Sequence, residues 1–198
     1  MAETTQSVRR LDAKRRSRRP AGVVTAVLWL GVCLGACLGM SAGEVARAAT
    51  ELPAGPVSGL PVPRFVSLKS DRVNVRAGPN KDQDVRWVYT RAGMPVEITA
   101  EFENWRRIRD WEGGEGWVYH SLLSGRRSAV VVPSKNEELV PLYESPAIEA
   151  GIMARLQPGV LTQIKSCNGN WCQVSGKDFS GYIVQERLWG AYPHEKID

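Results

Sequence analysis

The chain repeats itself, and the repeat sets the size of what it can fold into. Arg76-Ala77-Gly78-Pro79 has a counterpart in Tyr143-Glu144-Ser145-Pro146, an offset of 67 residues. Gly93 then matches Gly159, and Asn104-Trp105 matches Asn170-Trp171, at an offset of 66. Gly116-Trp117-Val118 matches Gly181-Tyr182-Ile183 at 65, and Leu123 matches Leu188. Offsets that shrink by one at a time are what small loop deletions between fixed elements produce. Each copy is about 60 residues, which places two domains at 64–127 and 128–190 of the 198, with a short tail at 191–198. A domain this small buries only about 60% of its unfolded surface. It needs concentrated aromatic residues or a crosslink, and the chain offers seven Trp and four Cys.

Within the copies the residue pattern is that of strands. Val73–Arg76, Val96–Phe102, Trp105–Arg109, Trp117–Tyr119, Val160–Lys165, Trp171–Ser175 and Tyr182–Val184 are short runs, often alternating, separated by Gly, Pro, Asn or Asp. No window carries a sustained apolar pattern at helical spacing. Short strands with turn residues between them predict an all-β chain of small barrels or sandwiches.

Charge divides the chain differently. The full chain carries 26 Lys plus Arg against 21 Asp plus Glu, but residues 1–20 hold seven of the basic and two of the acidic residues. The remaining 178 residues carry 19 of each. The body of the protein therefore has no net charge, which rules out a sustained basic surface for nucleic acid. The basic start runs into 24 uncharged residues, Pro20 to Gly43, a pattern that marks an export signal. Three fates fit residues 1–48: cleavage after Ala46-Arg47-Ala48, retention as a membrane anchor, or acylation at Cys37 after Leu34-Gly35-Ala36. All three place the rest of the chain outside the cytoplasm, with the membrane involved only through this segment. Residues 49–63 follow, with Pro53, Pro56, Pro61 and Pro63, and predict a semi-extended tether.

Val73-Asn74-Val75-Arg76-Ala77-Gly78-Pro79, Arg91-Ala92-Gly93-Met94-Pro95-Val96, Asn104-Trp105-Arg106-Arg107-Ile108 and Gly116-Trp117-Val118, in this order, resemble a bacterial SH3-like domain. The second copy keeps Gly159, Asn170-Trp171 and Gly181-Tyr182-Ile183, and puts Pro141-Leu142-Tyr143 where the Asn-Val-Arg block stands. The resemblance implies a five-stranded barrel per copy, no cofactor, and extracytoplasmic binding, often of cell-wall material. Two classes of partner fit it: a wall peptide or glycan, or an envelope protein offering an extended peptide to a scaffold groove. Compartment and resemblance together favour the first.

Cys167 and Cys172 are the cysteines outside the signal, an even pair in an oxidising compartment. They flank Asn168-Gly169, a hairpin signal. If Ile164 and Val174 pair in the core, the register sets Cys167 opposite Trp171, so a disulfide requires a bulge. Enzyme chemistry is not expected. The two cysteines serve each other, His120 and His194 accompany no metal-ligand cluster, and no Gly-x-Ser-x-Gly or His-Glu-x-x-His motif occurs. The Gly113-Gly114-Glu115-Gly116 cluster carries acidic neighbours that repel phosphate and reads as a hairpin loop.

Strand alternation places a candidate ligand face on the first copy. With Ile108 and Val118 inward, Trp105, Arg107, Arg109, Trp117 and Tyr119 point outward together. The arginines are then set to stack on Trp117 or Tyr119, at about 0.5–1 kcal/mol per contact. Trp87, Tyr89 and Trp111 are candidates to extend this face. Residues 64–130 carry 12 basic against 9 acidic residues, and 131–198 carry 6 against 8. A ligand bearing carboxylates is therefore expected on the first copy.

Overall fold

The computed structural model describes residues 52–135 and 138–198. The expected export segment, residues 1–48, lies outside them. Among the described residues no helix is long and apolar enough to cross a membrane. The first copy consists of β1 (Arg64–Leu68), β2 (Val73–Arg76), β3 (Val85–Tyr89), β4 (Pro95–Phe102), β5 (Trp105–Arg109), β6 (Glu115–Tyr119) and β7 (Leu123–Ser124). The second repeats it with β8 (Ser128–Val131), β9 (Val140–Tyr143), β10 (Ile152–Leu156), β11 (Leu161–Asn168), β12 (Trp171–Ser175), β13 (Ser180–Val184) and β14 (Leu188–Trp189). A short β15 (Lys196–Ile197) follows.

The two sheets share one strand order, β3-β2-β6-β5-β4-β1-β7 and β10-β9-β13-β12-β11-β8-β14. Every neighbouring pair is antiparallel, and each sheet coils around its own core. Neither closes into the expected barrel. The end strands β3 and β7 are not partners, because β7 is two residues long and spends them on Ser67 and Leu68 of β1. Val73, Val75, Val96, Ile98, Ile108 and Val118 fill the first core, and Val140, Leu142, Ile164, Val174, Ile183 and Leu188 the second. Burying each such side chain is worth about 1.5–3 kcal/mol.

The glycines that mark the repeat have two jobs. Gly93 and Gly159 turn the chain at φ of +79° and +82°, a conformation that costs other residues strain. Gly116 and Gly181 let β6 and β13 cross close over their neighbours. A Cβ there would lie 2.9 Å from the Arg76 carbonyl oxygen and 2.7 Å from that of Tyr143, too near for either to accept.

The copies also share a bulge. Ile98 pairs with Ile108 and Ala100 with Arg107, leaving Thr99 extra; Ile164 pairs with Val174 and Ser166 with Gln173, leaving Lys165 extra. The second bulge brings Cys167 opposite Cys172, and the two form a disulfide with Cα atoms 4.1 Å apart.

Residues 52–63 do not run as an extended tether. They double back, with an Ala54–Pro61 bridge and a Gly55 amide donating to Leu60 O, and clasp Glu101 at the end of β4. The amides of Val57 and Ser58 donate to Glu101 Oε2, and the Ser58 hydroxyl to Oε1. Nor are residues 191–198 a loose tail. β15 pairs Ile197 with Cys167 and Lys196 with Asn168, covering the same corner of the second sheet. The described residues belong to a single compact unit. Phe65 of β1 packs on Trp189 and Tyr192 with ring centroids 4.9 and 4.7 Å apart, and Tyr192 donates its hydroxyl to Glu97 Oε1 at 2.9 Å.

Candidate functional site

A cleft of about 330 Å³ opens on the outer face of the first copy, lined by Arg72, Asn74, Arg76, Lys81, Trp105, Tyr119 and Leu122. Its floor is an aromatic pair. Trp105 and Tyr119 are register partners across β5 and β6, and their rings meet edge to face at 5.4 Å. His120 leans on the far side of Tyr119, at 5.1 Å between centroids. Its rim is cationic. Val73 and Val75 point into the core, so alternation turns Asn74 and Arg76 outward, and Arg72 flanks them. Arg76 donates to the Gln83 carbonyl at 2.7 Å, which holds the guanidinium over the cleft. Arg72, Arg76 and Lys81 form no ion pair among the described residues, and no carboxylate lines the cleft.

Of the residues expected at a ligand face, Trp105 and Tyr119 are in this cleft. The two arginines expected beside them are outward but engaged elsewhere. Arg107 sits opposite Trp117 in register, yet its guanidinium pairs with Glu115. Arg109 donates from Nε and Nη2 to Glu97 Oε2, within the same Glu97 cluster that Tyr192 joins from the second copy. The expected arginine–aromatic ladder is thus replaced by two ion pairs, because each arginine has a carboxylate beside it on the neighbouring strand. Trp117 remains outward on β6, half-buried. Trp87 and Tyr89 are not on this face at all. They pair with Val75 and Val73, so they share the inward side, pack edge to face at 6.1 Å and cap the first core. The Tyr89 hydroxyl donates to Asp110 Oδ2 at 2.7 Å, and burial together with that carboxylate pushes its ionisation well up. Trp111 lies in the loop between β5 and β6, half-buried.

Arg72, Arg76, Lys81 and Leu122 were not among the expected site residues. The signal for Arg76 is nonetheless in the sequence, since Val73-Asn74-Val75-Arg76 alternates as cleanly as Trp105–Arg109. Lys81 lies in a loop that no alternation rule places.

The second copy builds the same cleft and fills it. Tyr143 takes the position of Arg76 and stacks edge to face on Trp171 at 5.3 Å. Ile148 replaces Lys81 and Val184 replaces Tyr119, leaving about 240 Å³ shared with Pro193 and His194. Among the described residues, no Lys or Arg lines the second cleft.

The family model of the bacterial SH3 domain matches residues 69–125 and again 136–190. The chain belongs to the bacterial SH3 domain family. One matched segment falls in each sheet, covering β2–β7 and β9–β14 and leaving out β1 and β8, so the repeat in the sequence is a tandem of SH3 copies. No curated protein matches the chain. Among solved structures it is similar to NlpC2 and NlpC1 from Trichomonas vaginalis, each at 14% identity. These overlaps cover 64% and 68% of this chain and 48% of each of those chains, with TM-scores of 0.28 and 0.30. An NlpC/P60 family protein from Bacillus cereus is 9% identical, with coverage of 63% and 55% and a TM-score of 0.29. The chain spans about half the length of these structures.

Proposed function

We propose that the protein is an exported, non-catalytic SH3 binding protein whose first copy recognises a carboxylate-bearing peptide or glycan of the cell wall. The observation that carries this reading is the cleft of the first copy. Three cations without ion-pair partners stand over a Trp–Tyr floor with no carboxylate among them. Arginine offers a planar fork that a carboxylate fills bidentately, and the aromatic edge-to-face pair offers a flat apolar surface for the ligand's carbon framework. The non-catalytic reading draws on the disulfide. Cys167 and Cys172 are joined to each other, so neither presents the thiolate that a cysteine nucleophile requires.

The experiment is co-sedimentation of the exported protein with purified peptidoglycan. The wild type is expected in the pellet at low salt, and Arg72→Ala with Arg76→Ala is expected to lose at least tenfold in affinity. A wild type that stays in the supernatant while capturing an envelope protein would instead establish the scaffold role. A double variant that sediments like wild type would remove the cleft as the site.

A further inference from the structure

A second groove, of about 790 Å³, runs between the two SH3 copies and carries its own charge pattern. Its basic side chains come from both copies and from the segment joining them: Lys69 just after β1, Arg126 and Arg127 from the connection, and Lys165 from the bulge of β11. No acidic side chain lines it. In a body with 19 residues of each sign, these four cations meet a single carboxylate among the described residues, that of Glu195 on Arg127, and the other three are a local excess of positive charge. Lys69, Arg126 and Lys165 are exposed and enter no ion pair among the described residues. Arg127 is anchored by Glu195 and the Gly190 carbonyl through its terminal nitrogens, while its Nε has no partner. Next to it Ser128 is 5% exposed, lines the groove, and its hydroxyl also lacks a partner. Both atoms lie beneath the groove surface, so the three exposed cations are the groups that meet a ligand.

The backbone of the groove walls is already committed. The amide of Ile164 donates to Arg127 O, that of Lys69 to Leu122 O and that of Gly93 to Leu68 O. A peptide adding itself as a strand needs free main-chain partners, so recognition here falls to the side-chain charges. We propose that the inter-copy groove binds an extended polyanion, a linear polymer with repeating phosphate or carboxylate groups. Lysines act as point charges along its length and Arg126 as a fork on one group. The groove is separate from the cleft of the first copy, and neither proposal depends on the other.

The test measures binding of the exported protein to two probes at low salt, linear inorganic polyphosphate and oligogalacturonate. Binding of either is expected, with affinity falling steeply as salt rises. Lys69→Ala, Arg126→Ala and Lys165→Ala combined should weaken it at least tenfold and flatten the salt dependence. The thermal midpoint should stay unchanged, because all three side chains are exposed. Arg72→Ala with Arg76→Ala is the control, expected within threefold of wild type. Preference for one probe names the anionic group; equal binding means that charge spacing is what the groove reads. Failure of both probes to bind, or a triple variant within threefold of wild type, overturns the proposal.

Discussion

Glu101 faces Arg106 across the β4–β5 hairpin at the register position that Cys167 and Cys172 hold in β11–β12. An ion pair in one copy and a disulfide in the other lock the same corner of the same fold. Glu101 also binds Arg64 at 2.8 Å and takes the clasp of residues 57 and 58, so one carboxylate gathers two guanidinium groups, two amides and a hydroxyl.

This corner makes the first copy sensitive to acid. Burial by itself would raise the Glu101 carboxyl, but the Ser58 hydroxyl and amide, the Arg64 guanidinium and the Val57 amide outweigh it and hold it at about 2. A carboxyl held below its ordinary value of 4.5 contributes stability that is fully present above that value. The contribution is lost as pH falls from about 4.5 to about 2. Denaturant midpoints should drop across that window in the wild type and much less in Glu101→Gln. At neutral pH, Glu101→Gln should cost about 3 kcal/mol, since it leaves Arg106 buried without its charge partner. Parallel pH profiles for the two proteins would refute the assignment.

The second copy should instead answer to reductant. Replacing Cys167 and Cys172 by Ala removes a short closed loop worth about 2 kcal/mol in the chain-entropy model. Unfolding followed by the Trp171 and Trp189 signals should shift by that amount, with the pH dependence of the first copy unaltered. Alkylation that maps free thiols to Cys167 and Cys172 in the native oxidised protein would contradict the structure directly.

Phe65 joins the copies, and Phe65→Ala should separate them. The loss of a ring packed on Trp189 and Tyr192 costs about 3 kcal/mol. Small-angle scattering should show an expanded particle, and thermal unfolding should split into two transitions. A variant that keeps the wild-type radius of gyration and a single transition would show that the junction does not depend on this ring.

Arg107 and Arg109 provide the contrast to the cleft. Because Glu115 and Glu97 already occupy their guanidinium groups, Arg107→Ala with Arg109→Ala should leave wall binding within about twofold. Trp105→Ala, by contrast, should abolish it while also loosening the sheet. Peptidoglycan co-sedimentation checks both, and a tenfold loss in the arginine double variant would return the binding face to β5.

The parts of this molecule legible in the sequence are those governed by periodicity. The repeat, the strands around Ile98, Ile108 and Val118, and the common face of Trp105, Arg107, Trp117 and Tyr119 follow from alternation and turn residues. The disulfide was legible together with its condition, that a bulge must precede it. What escaped is pairing at a distance. No local rule sends Arg109 to Glu97 or Glu101 to Ser58, 43 positions away. Trp87 and Tyr89 escaped for a related reason. Their inward placement depends on which partner strand they join, and Val73 and Val75 lie across a loop from them. The prolines of residues 53–63 suggested a spacer, but a chain with restricted φ serves a folded clasp as well.

The docking of Phe65 against Trp189 and Tyr192 gives the tandem a fixed geometry that a flexible linker would not. Two modules on a loose linker sample many separations, and a polymer touching both gains from the second contact only in proportion to how often the linker permits it. Here the separation between the first cleft and the inter-copy groove is a constant of the molecule. The spacing of the two copies is thus set by side-chain packing at Phe65 and not by the entropy of a linker.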